Sequence, residues 1–83
     1  VKYSPTITEW DAKKRKEHII GIQLHGNAIH YFKDKKFVIK GNCIYFLNRK
    51  EDYRVKVLEQ GTAISVHFTT YDEIDIESFS LVV

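Results

Sequence analysis

Apolar and aromatic residues alternate with polar ones in short runs along most of the chain, and this period of two constrains the fold more than any other feature. Runs rich in β-branched and aromatic residues follow one another at intervals of about 8 to 12 residues, the spacing of strands and turns in antiparallel proteins. They cover residues 18–25, 28–33, 36–40, 43–48, 53–58 and 62–70. The pattern predicts an all-β fold of six strands in a small antiparallel sandwich or barrel.

Turn signals separate these runs. Gly26 and the residue after it predict a tight turn, the charged stretch 33–36 predicts a hairpin tip, and a third turn is expected at 59–61. Only residues 6–17 could hold a helical turn, with Pro5 at its start.

Parity assigns faces in the run at 53–58. Tyr53, Val55 and Val57 share one face and are predicted to point inward, whereas Arg54 and Lys56 point outward. In the run at 62–70 the apolar residues predict a second inward set, with the polar residues between them facing outward: Ile64, Val66 and Phe68 inward, Ser65, His67 and Thr69 outward.

Two runs, 18–25 and 43–48, are apolar on both faces. In the first, Ile20 and Ile22 share one face and Ile19 takes the other. A strand of this kind needs cover on its second face, which a partner subunit, a further domain or the N-terminal arm would supply.

Length and charge exclude several classes of protein. A chain of 83 residues builds one domain with one modest core, and a net charge of +2 is too small for a surface that tracks nucleic-acid phosphates. The basic run at 13–16 is bracketed by Asp11 and Glu17, which is typical of solvated surface. No apolar run approaches the roughly 18 residues of a membrane helix, and Cys43 is the only cysteine. We expect a cytoplasmic domain with no membrane partner.

No catalytic or metal motif is recognisable. The four histidines, His18, His25, His30 and His67, show none of the spacings of zinc or iron sites, and there is no glycine-rich phosphate loop or nucleophile elbow. Cys43 has no basic neighbour in its run and is interpreted as a small buried hydrophobe. We therefore expect no catalytic residue, no metal and no cofactor, and a domain that is not an enzyme.

The order of elements supplies a further indication. Gly41 opens an apolar strand, a charged turn follows, Tyr53 begins an amphipathic strand, and a His-Phe pair leads into an acidic, aromatic tail in AISVHFTTYDEIDIESFSL, residues 63–81. Over about residues 15 to 81 this order resembles the cupin-type N-terminal domain of AraC-family bacterial transcription regulators.

The motif residues depart from that family's pattern at several positions. Asn42 follows Gly41 where the family has aspartate, Asn48 stands in place of the usual proline with one more residue between, and Lys50 replaces the turn glycine. Tyr53 falls where metal-binding cupins place their last histidine, and a phenol is a poor substitute for imidazole on a divalent metal.

The resemblance implies a cupin-like jelly-roll barrel with an extended N-terminal arm at 1–17, barrel strands within 18–70 and a C-terminal strand or tail at 71–83. It also implies a sensor that binds a small-molecule effector, forms a homodimer and contacts DNA only through a C-terminal helix-turn-helix domain outside this chain. The opening on Val1 and the apolar ending SFSLVV agree with the expectation of a piece of a longer regulator.

The candidate effector pocket consists of inward-facing aromatic and aliphatic residues, with the tryptophan of the N-terminal arm as a lid: Trp10, Ile22, Leu24, Tyr31, Phe37, Tyr45, Tyr53 and Phe68. A shift of one register step would turn Tyr31 and Tyr45 outward.

Two alternatives stay open. A small barrel that binds single-stranded nucleic acid would expose Phe32 and Tyr45 beside the basic run at 13–16. A metal-free cupin enzyme would need an inward titratable pair, for which His18 and Tyr53 are the candidates.

Overall fold

The computed structural model describes residues 9–82, which form one sheet with every strand pair antiparallel. The strands are β1 (Glu9–Ala12), β2 (His18–Tyr31), β3 (Lys36–Ile39), β4 (Cys43–Leu47), β5 (Tyr53–Phe68) and β6 (Phe79–Val82). Their order is β1-β5-β2-β4-β6, with β3 paired to β2. The all-β, antiparallel prediction is confirmed. Over the same residues no helix is long and apolar enough to cross a membrane.

Two strands are much longer than the sequence pattern predicts. β2 has 14 residues and β5 has 16, so the turns expected at Gly26 and at 59–61 are wrong: both positions lie inside strands. Register shifts between Gln23 and Ala28 bend the β2–β5 pair without ending it. The expected helical turn is also wrong for residues 9–12, which form β1, while Pro5 lies outside the described residues.

Glycines on both long strands make this bend possible. Gly26 has a φ of 87°, and a Cβ atom there would lie 2.7 Å from the carbonyl oxygen of Glu59. A Cβ atom on Gly61 would overlap the carbonyl oxygen of His25. The two backbones therefore cross at a distance that only glycine allows.

The bend divides the sheet into two halves that share β2 and β5. The first half joins β1, the start of β5, the end of β2 and β3; the second joins the end of β5, the start of β2, β4 and β6. Edge strands β3 and β6 contact each other, so the sheet curls and the inner sides of its two halves pack against each other. The core there takes buried residues from both halves, Cys43 among them as predicted: Ala28, Ile39, Cys43, Tyr45, Leu47, Tyr53, Val55 and Val57.

The start of β5 has the faces that parity predicts. Tyr53, Val55 and Val57 are buried in the core, and Arg54 and Lys56 are exposed. Burial of one face of a strand with charge on the other fixes its register, because a slip of one residue would bury the two cations.

The end of β5 has the opposite faces from those predicted. Ile64 and Val66 are each 57% exposed, Phe68 lies on the same outer side, and Ala63 and Ser65 face inward. The prediction of an inward Ile64, Val66 and Phe68 is wrong because β5 continues through the bend. The register shifts there add two residues on β5, an even number, so the parity that faces inward at its start also faces inward at its end.

A ten-residue segment, 69–78, links β5 to β6 and is held by Asn48, which is almost fully buried. The Asn48 side-chain amide donates to the carbonyl oxygens of Ile74 (2.7 Å) and Ile76 (2.9 Å), and its backbone N–H donates to the Ser78 hydroxyl (2.8 Å). The Asn48 Oδ1 accepts from the backbone N–H of Lys50. The polar atoms of this buried asparagine are therefore hydrogen-bonded, and these bonds hold both the 69–78 segment and the chain at Lys50 in place.

Candidate functional site

A cavity of about 120 Å³ lies between the two halves of the sheet. Four strands contribute to its wall, which is mainly aromatic and aliphatic: Trp10, Ile19, His30, Tyr45, Leu47, Tyr53, Val55, Ala63 and Ser65. Trp10, Tyr45 and Tyr53 belong to the candidate pocket from the sequence, and the structure brings them together. Trp10 reaches the cavity because β1 pairs with β5, placing it opposite Val55.

The other candidate pocket residues do not line this cavity. Phe37 packs against the inner core beside it, while Tyr31 lies half-buried on the outer side of the first half. Ile22, Leu24 and Phe68 lie on the outer side of the second half. Their inward assignment is wrong, because the bulges in β2 and the continuity of β5 give the opposite parity.

Gly21 makes room for one wall of the cavity. It pairs with Tyr45 across β2 and β4, and a Cβ atom at position 21 would lie 2.6 Å from both Cζ and the hydroxyl oxygen of Tyr45. The tyrosine ring therefore lies flat over the glycine, inside the cavity wall. Any larger residue at position 21 would push the ring into the cavity.

His30 is a cavity residue that the sequence pattern does not identify. It is 6% exposed, its ring stacks on Phe37 at 5.8 Å and 8°, and it lies 5.2 Å from the ring of Tyr53. No atom of residues 9–82 forms a hydrogen bond with its Nδ1. Burial, with a smaller effect from the Arg15 charge, lowers the pKa of His30 to about 4, so the imidazole is neutral at pH 7.

Arg15 closes one side of Tyr53. Its guanidinium carbon lies 4.8 Å from the centre of the tyrosine ring. The guanidinium donates to the carbonyl oxygens of Glu17 (3.1 Å), Asn48 (2.7 Å) and Glu51 (3.3 Å). Arg15 thus differs from its exposed neighbours in the basic run, since its charge is held by backbone dipoles and an aromatic face.

His18 and Tyr53 do not form the titratable pair considered above. His18 packs on the outer side between Phe46 (5.8 Å) and Phe68 (5.4 Å), and its Nδ1 accepts from the backbone N–H of Arg49. Burial, followed by the Arg49 charge, lowers the pKa of His18. Tyr53 is on the inner side, where its imidazole neighbour is His30.

The outer side of the second half is an apolar surface, which we call the outer apolar face. It is defined by two cross-strand rows of four: Val66, Ile20, Phe46 and Phe79 in one, and Ile64, Ile22, Ile44 and Leu81 in the other. Six of the eight side chains are exposed, and neither row contains a charge. The prediction that these strands are apolar on both faces is confirmed. Within residues 9–82, Phe46 is covered by neighbouring rings, and the six exposed side chains leave most of the outer face open.

The aromatic residues expected to stack bases are not presented to solvent. Tyr45 is buried in the core, and Phe32 is half-buried between Phe37 and Tyr53. The exposure that a single-strand-binding surface requires of these two residues is therefore contradicted.

Among the described residues no three His, Cys, Asp or Glu side chains are grouped so that they could hold a metal ion. Comparison of the chain with models of protein families, with curated proteins and with solved structures finds no match.

Proposed function

We propose that this chain is the effector-sensing domain of an AraC-type transcription regulator and that the effector binds in the cavity between the two halves of the sheet. The observation that carries the proposal is the meeting of Trp10, Tyr45 and Tyr53 around a buried imidazole, His30. Apolar walls with a few polar groups are the usual composition of small-molecule sites. On this proposal the fold is a cupin-like barrel, the domain works in the cytoplasm, and DNA is bound by a separate helix-turn-helix domain.

Thermal shift with a metabolite collection tests the sensing role. An effector at 100 times its Kd stabilises the folded domain by about 2.7 kcal/mol, which raises Tm by about 10 to 20 °C in a domain of this size. We expect Tyr53→Phe to reduce the stabilisation by about 1 kcal/mol, because the hydroxyl is removed from the cavity wall.

Tyr31→Phe is the matched control, since Tyr31 lies half-buried on the outer side of the first half. It should leave the effector shift at the wild-type value. The same shift in wild type, Tyr53→Phe and Tyr31→Phe would contradict the assignment of Tyr53 to the effector site.

The proposed regulator is a homodimer, and the outer apolar face is its proposed contact. The face is uncharged and its two rows cross four strands without a register shift, so two copies can pack against each other without burying an unpaired charge. Association of this kind would cover Ile64 and Val66, each 57% exposed in the single chain.

Ile64→Lys should weaken self-association at least tenfold in sedimentation equilibrium, because it places a charge in the middle of the contact. Leu58→Lys is the control, since Leu58 is a comparably exposed residue of the same strand outside the face. A monomeric wild type at all concentrations, or equal weakening by both variants, would refute this contact.

A further inference from the structure

The size of the cavity restricts the effector to a small molecule. Sites for drug-sized ligands and cofactors have volumes of about 300 to 1,000 Å³, whereas this cavity has about 120 Å³. An apolar cavity of about 150 Å³ in another protein holds benzene. The volume of this cavity therefore matches a single six-membered ring.

The charge of the wall restricts the effector further. Among the residues that the structure describes, no Asp, Glu, Lys or Arg lines the cavity. Arg15, which covers the Tyr53 ring, donates to three backbone carbonyl oxygens. An ionised ligand would lie in an apolar wall with no counter-charge, which is costly. The wall therefore selects a neutral compound.

His30 adds a requirement for one polar group. Its Nδ1 is buried and has no partner within residues 9–82, and a buried polar atom without a hydrogen bond is destabilising. A hydroxyl group can pair with a neutral imidazole in either tautomer, because it both donates and accepts.

We infer that the cavity takes a neutral compound of one aromatic ring bearing one hydroxyl, the phenol class, with that hydroxyl hydrogen-bonded to Nδ1 of His30. The inference rests on the proposed sensing function and names its effector class. The ring lies among the aromatic side chains of Trp10, Tyr45 and Tyr53, which favour edge-to-face and offset contacts. A pyranose is excluded, because each of its several hydroxyls would need a partner in a largely apolar wall.

The test compares phenol with toluene, benzoate and glucose, using NMR of the Trp10 indole and the Ala63 methyl group as reporters. Trp10 is the only tryptophan, so its indole signal is unambiguous. Phenol should shift both signals at saturable concentrations, and benzoate and glucose should shift neither.

The decisive quantity is the ratio of phenol affinity to toluene affinity. We expect His30→Leu to lower this ratio about tenfold or more. The phenol hydroxyl then has no hydrogen-bond partner, whereas toluene has no hydrogen bond to lose. His25→Leu is the matched control, since His25 is exposed at the bend, and it should leave the ratio unchanged. Ala63→Leu should abolish binding of both compounds by filling the cavity.

Three results would overturn the inference. They are an unchanged ratio in His30→Leu, tight binding of benzoate or glucose, and phenol binding that survives Ala63→Leu. Tight benzoate or glucose binding lost in Ala63→Leu would keep the sensing function and replace only the effector class. If phenol and toluene fail to bind, the inference fails, and the thermal-shift experiment decides the sensing function separately.

Discussion

Gly61→Ala is expected to destabilise the domain by more than about 3 kcal/mol, a large share of the 5 to 15 kcal/mol that holds a small domain folded. The new Cβ atom would overlap the carbonyl oxygen of His25, and Gly26 lies against the same point. The overlap is with backbone, so no side-chain rotation can relieve it; the β2–β5 pairing must open. Urea unfolding should show a lower midpoint with the slope unchanged.

Gly41→Ala is the control for this prediction. A Cβ atom at Gly41 would lie 3.1 Å from the carbonyl oxygen of Leu24, a close contact that a small shift relieves. Its expected cost is about 1 kcal/mol or less. Equal midpoints for Gly61→Ala and wild type would show that the two long strands do not cross as closely as described.

As the pH falls, the domain should begin to lose stability at a higher pH than protonation of its carboxylates alone would cause. His30 has a folded-state pKa of about 4 against 6.5 when unfolded, so between these values the unfolded chain binds a proton that the folded chain excludes. Stability is therefore fully present above pH 6.5 and falls as the pH drops towards 4. The total loss from His30 is about 3 kcal/mol, because each pKa unit corresponds to about 1.4 kcal/mol. The lowered pKa of His18 acts in the same direction.

Urea unfolding at several pH values separates the histidines from the acidic groups. His30→Leu should remove most of the pH dependence between about pH 6.5 and 5, whereas His25→Leu should keep it. Below this range Glu51 contributes: burial raises its pKa, but hydrogen bonds from Ser78 and Lys35 outweigh that and leave the pKa lowered. The same slope in wild type and His30→Leu would contradict a buried neutral imidazole.

The strands could be predicted because the runs in which apolar and polar residues alternate do form strands in the structure. β3 and β4 lie within the predicted runs, and β2 and β5 begin at the predicted residues, 18 and 53. β1 could not be predicted, since its four residues are ordered by pairing with β5, where Trp10 lies opposite Val55. That stabilisation comes from residues far away in the sequence, which a local pattern does not contain.

The cavity could be predicted only in part for a related reason. Tyr45 and Tyr53 follow from alternation within residues 43–47 and 53–57, where the strand pairs show no register shift. On β2 the bulges after Gln23 change which parity faces inward, so His30 points into the core and Tyr31 points out. A β-bulge leaves the alternation intact in the strand segment on each side of it. It changes only whether odd-numbered or even-numbered residues face inward in one segment relative to the other.

The cavity and the outer apolar face share strands, which in the proposed regulator would make the sheet a very short path from effector to partner. Ala63 and Ser65 line the cavity, and Ile64 and Val66, the next residues along β5, belong to the outer face. In the proposed regulator, one peptide unit would separate a residue at the effector site from one at the dimer contact. An effector that moves β5 would then change the curvature of the proposed dimer surface directly, without a hinge or a moving loop.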